Sequence, residues 1–582
     1  KLVHTTVQSI LELSELSMSA GFFDVGGNSL AATRIAARLS AATGCRLGIR
    51  AIFDATDIVG IVDALRRLGV TDDAMPQAAP APTVTVDGPV PLSPAQHRLW
   101  LAAQVDSTTA TSYTMPFSVR LLGELDDVAL GAALADVVAR HEPLRTRVTQ
   151  VSGIACQHVE SPATDLIALP TVHASDFDPD AVRQYARLPF DLERELPIRA
   201  QLLRHGADDH TLVVVIHHLA ADGWSLAPLA HDLGAAYRAR RDGDEPHWNE
   251  LPAGYRQISA ERAAWLEQPD SGAAQQIDYW SKVLADAPAG IELPYDRPRS
   301  PSDHSGSSVR TRIAAGTADQ LIRLAEQRGS SLFMVLHAAV AALLRNMSQS
   351  DDIVVGTPVS GRGDDRLDHM VGMFVNTLAL RTTVDKWSSF ADLLGRVRET
   401  DLAAFDHADV PFDRLVGELN PPRSGSGQPY FDVTVALENS PRVDLDFAGL
   451  AATAAPIPTG TAKFDLEFTF REPSDAGIDI EIGYATGLFD RETVASLASR
   501  LVRLCEIVGA DPEIPVGDAS VLAPHERLDL VPAVGPGHRP VEHLERLLAA
   551  AVAARPDRPA IVCPETGRML TYREFDAATN RF

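Results

Sequence analysis

Apolar positions recur at helical spacing from the start of the chain, with Val3, Val7, Ile10 and Leu11 on one face. The same period returns at Leu30, Ile35, Ala36 and Leu39, and again over Ile58–Leu68. Residues 1–72 therefore predict a small helical bundle. Beyond Pro91 the pattern changes. Thr211–Ile216 is a continuous apolar, β-branched run, as a strand buried on both faces requires. Leu226–Arg238 goes back to helical spacing, and helical Leu332–Leu344 precedes the β-branched block Ile353–Val355. Such alternation from Pro91 to Leu530 predicts an α/β architecture.

Composition places the boundaries. Met75–Val90 (MPQAAPAPTVTVDGPV) is rich in Ala and Pro and predicts an extended, semi-stiff linker. A softer break falls at Gln268–Gly272, and a Pro/Gly stretch at Val531–Pro540 precedes a last patterned segment, Leu570–Phe582. The expected divisions are 1–72, a linker at 73–88, two halves of the middle region at 89–268 and 269–530, and 531–582.

At 582 residues the chain exceeds what one hydrophobic core supports. Lys and Arg number 52 against 78 Asp and Glu, a net charge of −26. That balance argues against a nucleic-acid backbone as partner, because such binding needs clustered cations. The first segment is nearly neutral, with Lys1, Arg34, Arg38, Arg46, Arg50, Arg66 and Arg67 set against six acids, so the acidity lies elsewhere. Cys45, Cys156, Cys505 and Cys563 lie far apart, which excludes a zinc ribbon or disulfide framework and fits a reducing cytoplasm. No apolar run approaches a membrane span. The chain opens on Lys1 with no signal peptide and stops within a patterned segment, as expected of a piece of something longer.

Two constellations carry chemistry. In Gly21-Phe-Phe-Asp-Val-Gly-Gly-Asn-Ser-Leu30, Ser29 stands at the start of a helix. There its hydroxyl serves either as an N-cap or as the carrier of a phosphate, which the helix dipole and free amides stabilise. Gly27-x-Ser29-x-Ala31 approaches an esterase elbow, but that turn needs a preceding strand and a large sheet. The second constellation, His217-His218-Leu-Ala-Ala-Asp222-Gly223-Trp224-Ser225, follows the Thr211–Ile216 strand, with Ser225 expected to cap the next helix. Neighbouring strand residues face opposite ways, so only one histidine is available for chemistry and the pair makes a poor joint metal site. No metal is expected.

The segment FFDVGGNSLAATRIAARL, with Ile52-Phe-Asp54 and the helix near Ile58–Leu68, resembles the peptidyl carrier domain of nonribosomal peptide synthetases. The resemblance implies that Ser29 bears a 4′-phosphopantetheine arm holding an acyl thioester. HHxxxDG at 217–223 resembles the signature of the condensation domains of these synthetases, relatives of chloramphenicol acetyltransferase. Ser93–Trp100, Arg140–Thr146, Asp352–Arg362, Val371–Thr377, Leu437–Asn439 and Lys463–Asp465 match further motifs in order. Pro556–Val562 and Leu570–Asp576 resemble the start of an adenylation domain.

The implied fold is a four-helix carrier bundle followed by an α/β condensation domain of two acetyltransferase-like lobes in a V. The implied active-site residue is His218, with His217 beside it. Asp222 is expected to hold the loop through an arginine, Arg362 by preference and Arg145 as the alternative. Gly223 is expected to permit the turn and to offer an N–H to a developing oxyanion. Arg98, Asn376 and Trp224 are assigned to the substrate tunnel, although Arg98 also reads as a surface charge and Trp224 as a packing residue. The implied function is peptide-bond formation between a donor on Ser29 and an aminoacyl thioester on a downstream acceptor carrier. The implied partners are that carrier, the adenylation domains of the same synthetase and a phosphopantetheinyl transferase. Epimerisation shares HHxxxDG, but the GGNSL motif and intact GMFVNT argue against it. Heterocyclisation replaces the histidines with aspartates, and a CoA-dependent acetyltransferase would not need an attached carrier. A non-catalytic recruitment platform is the alternative of another class.

Overall fold

A computed structural model describes residues 1–70, 86, 88–105, 111–163, 166–173, 179–269, 271–300, 303–421, 429–438, 445–523, 526, 544–563 and 566–581. All of 73–88 except 86 and 88, and all of 531–540, lie outside the described residues. The chain divides into two units, Lys1–Val521 and Leu522–Phe582.

The first helices are α1 (Leu2–Ile10), α2 (Ser29–Thr43), the short α3 (Ile49–Phe53) and α4 (Ile58–Arg67). They close over Val7, Phe22, Ile35, Leu39, Ile52, Ile58 and Ile61, the periodic positions of the sequence. The cap of α2 is Asn28, whose side chain accepts the Ala31 N–H at 2.9 Å. Ser29 is the first helical residue, so its hydroxyl is free of the capping role that its position suggested. Gly44 ends α2 in the left-handed region at φ 65°, where a side chain would be strained.

After β1 (Val90–Pro91) come α5 (Pro94–Val105), β2 (Thr114–Leu122), α6 (Asp127–Arg140), β3 (Thr146–Val151), β4 (Ile154–Val159), β5 (Thr171–His173), α7 (Pro179–Arg187), β6 (Ile198–Arg204) and β7 (Asp209–His217). Helices α8 (Leu226–Arg241), α9 (Tyr255–Glu267) and α10 (Ala273–Val283) follow. The expected break at 268–272 is the interval between α9 and α10. In the first large sheet β7 lies between β2 and β6, antiparallel to both. Its Leu212–His217 stretch is buried without interruption, which explains the missing alternation in sequence.

The second half holds β8 (Gly306–Ala314), α11 (Ala315–Gln327), α12 (Leu332–Ser348), β9 (Asp352–Val359), β10 (Asn376–Thr383), α13 (Phe390–Phe405), α14 (Phe412–Leu419) and β11 (Val433–Glu438). It continues with β12 (Ala451–Pro456), β13 (Leu466–Arg471), β14 (Gly477–Ala485) and α15 (Arg491–Ala510). Six strands form one sheet in the order β10-β9-β11-β13-β14-β8. Along β14, Ile478, Ile480, Ile482 and Tyr484 are buried, while Asp479 and Glu481 face Arg312 and Arg310 of β8 in register. Helix α12 is apolar on nearly every side because the sheet and neighbouring helices enclose it, and its His337 is buried against Asp401 at 3.1 Å. One strand crosses between the halves. β12, expected with 269–530, pairs antiparallel with β2 at the edge of the first sheet.

The second unit contains α16 (Leu544–Ala554), the antiparallel pair β15 (Pro559–Val562) and β16 (Met569–Thr571), and α17 (Tyr572–Thr579). Thr571 and Glu574 form a capping box at α17. No single helix among the described residues is long and apolar enough to cross a membrane.

Candidate active site

His217 ends β7 and His218 follows it, and the two side chains point apart. The His217 N–H donates to Pro197 O and the His218 N–H to Tyr113 O, each at 2.8 Å, so both flanks of the strand end are fixed. His217 turns inward, edge-on to Phe190 with ring centroids 5.9 Å apart, and its Nδ1 accepts the Leu219 N–H at 3.1 Å. Burial pushes its imidazole down to about 3, with Arg199 and Lys463 acting in the same direction. His218 is only half-buried, and its Nε2 lies 3.2 Å from Lys463 Nζ. Desolvation, then Lys463, His217 and Arg98, hold His218 well below the ordinary histidine value, against a ring hydrogen bond to the Ala221 backbone. Its imidazole is therefore neutral near pH 7, with Nε2 in contact with the Lys463 side chain.

Asp222 is buried and both its oxygens accept hydrogen bonds. Oδ1 accepts from Ser225 N at 2.9 Å, Ser225 Oγ at 2.8 Å and Arg362 Nη2 at 3.0 Å, while Oδ2 accepts the Phe374 N–H at 3.0 Å. Arg362 also donates to Leu367 O and Met370 O at 2.6 and 2.8 Å, and its guanidinium lies 4.7 Å from the Phe374 ring centroid. A carboxylate with four donors on it, one of them a guanidinium, holds the loop to the second half of the domain. Arg145 does not reach Asp222. Its guanidinium caps the end of α6 at Ala139 O, 3.0 Å away, and donates to Glu160 O. Two local expectations are also corrected. Ser225 makes no side-chain cap of α8, because its hydroxyl is turned onto Asp222 and Gly372. Gly223 opens the 3₁₀ turn Gly223–Ser225 and is not one of the left-handed glycines, so the turn does not demand glycine's conformational freedom.

Ser29, Arg98, Trp224 and Asn376 line one cavity of about 1460 Å³. Ser29 Oγ donates to Ser331 Oγ at 2.8 Å, and Ser331 caps α12. Arg98 pairs with Asp413 of α14 at 3.1 Å, joining the two halves of the domain, so it is not a solvated surface charge. Burial raises the Asp413 carboxyl, against Arg98 and His97. Asn376 contributes wall rather than a free polar group. Its Nδ2 donates to Ala408 O and Val410 O, both at 2.9 Å, and its Oδ1 accepts the Phe412 N–H at 2.9 Å. Trp224 is half-buried, and its indole N–H is buried with no hydrogen-bond partner among the described residues. A cavity that begins at a helix-start serine and carries an unmatched donor on its wall fits a long arm bearing amide carbonyls.

Sequence reasoning left Lys463 without a role and missed the surface that seats the helical bundle. Asp368 accepts from Arg34 at 3.0 Å and from Arg38. Arg50 pairs with Glu399 at 2.7 Å, Asp54 with Arg398, and the Ile49 N–H donates to Asp406 Oδ1 at 2.7 Å. A Cβ on Gly363 would stand 2.9 Å from the Ala37 Cβ, so glycine there lets α2 approach. The only advance signal was the presence of four arginines (34, 38, 46 and 50) in a nearly neutral segment.

Residues 86–531 match the Condensation domain family, and residues 1–65 match the family described as the phosphopantetheine attachment site. The chain is 39% identical, over 98% of its length, to a probable non-canonical nonribosomal peptide synthetase, CymA, of Salinispora arenicola. It is 37% identical over 98% to the dimodular nonribosomal peptide synthase of Bacillus subtilis, and 41% identical over 84% to the isonitrile lipopeptide synthase of Mycobacterium tuberculosis. It spans 7%, 24% and 20% of those relatives' own lengths. Among solved structures, the X-domain from teicoplanin biosynthesis superposes with a TM-score of 0.71 at 31% identity, over 76% of this chain and all of that one. The same X-domain in complex with OxyB gives 0.70 at 31%, over 76% and 97%. The first condensation domain of the calcium-dependent antibiotic synthetase gives 0.63 at 24% identity, over 75% and 100%, a likeness of fold.

Proposed function

Because this chain belongs to the condensation-domain family, with a phosphopantetheine attachment domain ahead of that domain, we propose that it forms peptide bonds in nonribosomal peptide synthesis. The amine of an aminoacyl thioester on a downstream acceptor carrier attacks the acyl thioester held at Ser29. The observation that carries this reading is the shared cavity: the carrier serine opens onto the same space as Arg98 and Trp224, next to the histidine loop. When bound, the 4′-phosphopantetheine arm supplies a thioester-activated acyl group.

The residues of this chain then divide the work. Asn28 caps α2 and leaves the Ser29 hydroxyl for attachment. His218, neutral and on the loop that carries Trp224 to the cavity wall, takes the proton of the amine or orients it, a contribution of about 10²–10⁴ in rate. His217 packs behind it. Asp222 and Arg362 fix the loop that presents His218 and lock the two halves of the domain around the channel, and Gly223 offers its N–H to the developing oxyanion. Holding both reactants in one cavity supplies the remainder, since effective molarities reach roughly 10⁵–10⁸ M.

The partners on this reading are an acceptor carrier domain, adenylation domains of the same synthetase and a phosphopantetheinyl transferase. Residues 531–582 are read as a linker and the start of an adenylation domain. The four cysteines, which form no disulfide among the described residues, fit a reducing cytoplasm.

The test is intact-protein mass after loading Ser29 with a peptidyl-pantetheine arm and adding an aminoacyl-loaded acceptor carrier. Loss of the donor acyl group with an equal gain on the acceptor, strongly reduced in His218→Ala, is the expected result. Transfer unaffected by His218→Ala would reduce His218 to a bystander. The likeness to an X-domain solved with OxyB supports a second reading, a docking platform without turnover. Loading at Ser29 with no transfer to several acceptors would favour it.

A further inference from the structure

Lys463 enters the site from 245 residues away in sequence. Its Nζ lies 3.2 Å from His218 Nε2 and 5.7 Å from the centroid of the Tyr113 ring, whose own carbonyl holds the His218 N–H. Among the described residues this ammonium has no carboxylate at ion-pair distance. The acid acting on it, Glu467, uses Oε1 on the Lys463 backbone N–H at 3.2 Å. The side chain is open to solvent, yet desolvation draws Lys463 below the ordinary lysine value, with Glu467 opposing and Arg98 assisting.

On the reading that His218 serves amide formation, we propose that Lys463 is a positioning residue that occupies the acceptor-amine place at His218 Nε2 until an acceptor arrives. An acceptor must bring a primary amine within hydrogen-bond reach of that nitrogen, and Lys463 already presents one there. While it does, water cannot occupy Nε2 and hydrolyse the donor. In that side reaction the water oxygen bonds to the acyl carbon, its proton passes to Nε2, the C–S bond breaks, and the proton leaves on sulfur as the thiol. A neutral imidazole and an aromatic face hold an ammonium less firmly than a carboxylate does, so an incoming amine displaces it. The charged and titratable groups acting on the imidazole are Lys463 and Arg98, with His217 turned away behind it and Tyr113 beside Lys463; Arg98 is paired to Asp413, and Glu467 lies next to Lys463. Removing Lys463 removes a cation from contact with Nε2, which makes the ring easier to protonate.

Side-chain nitrogen NMR of the unloaded chain, with His218 identified by its loss in His218→Gln, reads this directly. His218 is expected to titrate at least about one pH unit higher in Lys463→Met than in wild type, and near wild type in Lys463→Arg. With donor loaded on Ser29 and no acceptor present, Lys463→Met is expected to release donor acid about 10-fold faster. Adding His218→Ala should abolish that excess, and Lys463→Arg should restore the wild-type rate. Hydrolysis in Lys463→Met no faster than wild type, or a His218 titration that does not move, overturns the proposal whatever condensation does. Because hydrolysis is read without acceptor, a wild type that forms no amide with any acceptor counts against the functional reading alone, and this comparison still decides Lys463.

Discussion

Replacing Arg362 with Met removes the cation from a buried pair and leaves the Asp222 carboxylate, 1% exposed, without its counter-charge. Asp222 keeps the Ser225 and Phe374 donors, but the Leu367 and Met370 carbonyls lose theirs. Breaking a buried pair from one side costs about 3–5 kcal/mol. The orphaned carbonyls lie in the same loop and relax with it, so the expected loss is about 4 kcal/mol. Asp222→Asn in the Met background removes the stranded charge and should recover about half of that or more. The damage has a location, because Asp222 and Ser225 belong to the first half of the domain and Arg362, Gly372 and Phe374 to the second. Hydrogen exchange at the Phe374 amide should therefore rise before global unfolding does, while the α1–α4 bundle keeps its protection. Denaturant unfolding of the full chain, with exchange at Phe374, checks both points. A loss under about 1 kcal/mol, or a double variant no more stable than Arg362→Met, would refute the view of this pair as the clamp between the halves.

The seating of the carrier bundle and the pH response of the second sheet give further tests. Asp368→Lys removes the acceptor of Arg34 and Arg38 and puts a cation in its place. At about 0.2–1 kcal/mol per partly exposed pair, plus repulsion, the seated state should weaken about 10-fold or more. The change would appear as a larger radius of gyration and faster modification of Ser29 by a phosphopantetheinyl transferase. Asp432 is buried, and its carboxyl is pushed up to about 6 by desolvation and by Asp465, against Arg299. A carboxyl raised on folding favours the native state below its unfolded value near 4, and that advantage is lost as pH climbs through 6. Asp432→Asn should therefore stabilise the chain by about 2–3 kcal/mol at pH 7.5 and by almost nothing at pH 4, read from denaturant midpoints at the two pH values.

What the sequence reveals here depends on how far each contact reaches along the chain. The His217–Ser225 loop was legible because a buried strand, a pair of histidines facing opposite ways and a helix start follow one another directly. Ser29 was legible for the same reason, and only its neighbour's capping role was misjudged. Asn and Ser cap comparably well, and backbone geometry alone decides which of two adjacent residues stands outside the helix. The choice between Arg362 and Arg145 was not local. Arg362 lies 140 residues beyond Asp222, and nothing in the pattern around either arginine records which one folds across. β12 was invisible for another reason. Its AATAAP sequence has neither alternation nor bulk, and it becomes a strand because β2 offers an open edge of N–H and C=O groups.

Charge is the sharpest case. A net −26 argues against nucleic acid as a partner for the whole chain. That total concealed a local complementarity, in which Arg34, Arg38, Arg46 and Arg50 of the near-neutral bundle meet Asp368, Glu399 and Asp406 of the acidic remainder. Net charge governs long-range behaviour, which salt screens within about 8–10 Å, whereas docking depends on which side chains a fold brings inside that distance. The same reasoning applies to Lys463. As a residue it is an ordinary cation in a KFD motif, and only the closure of one half of the domain over the other sets it 3.2 Å from His218 Nε2.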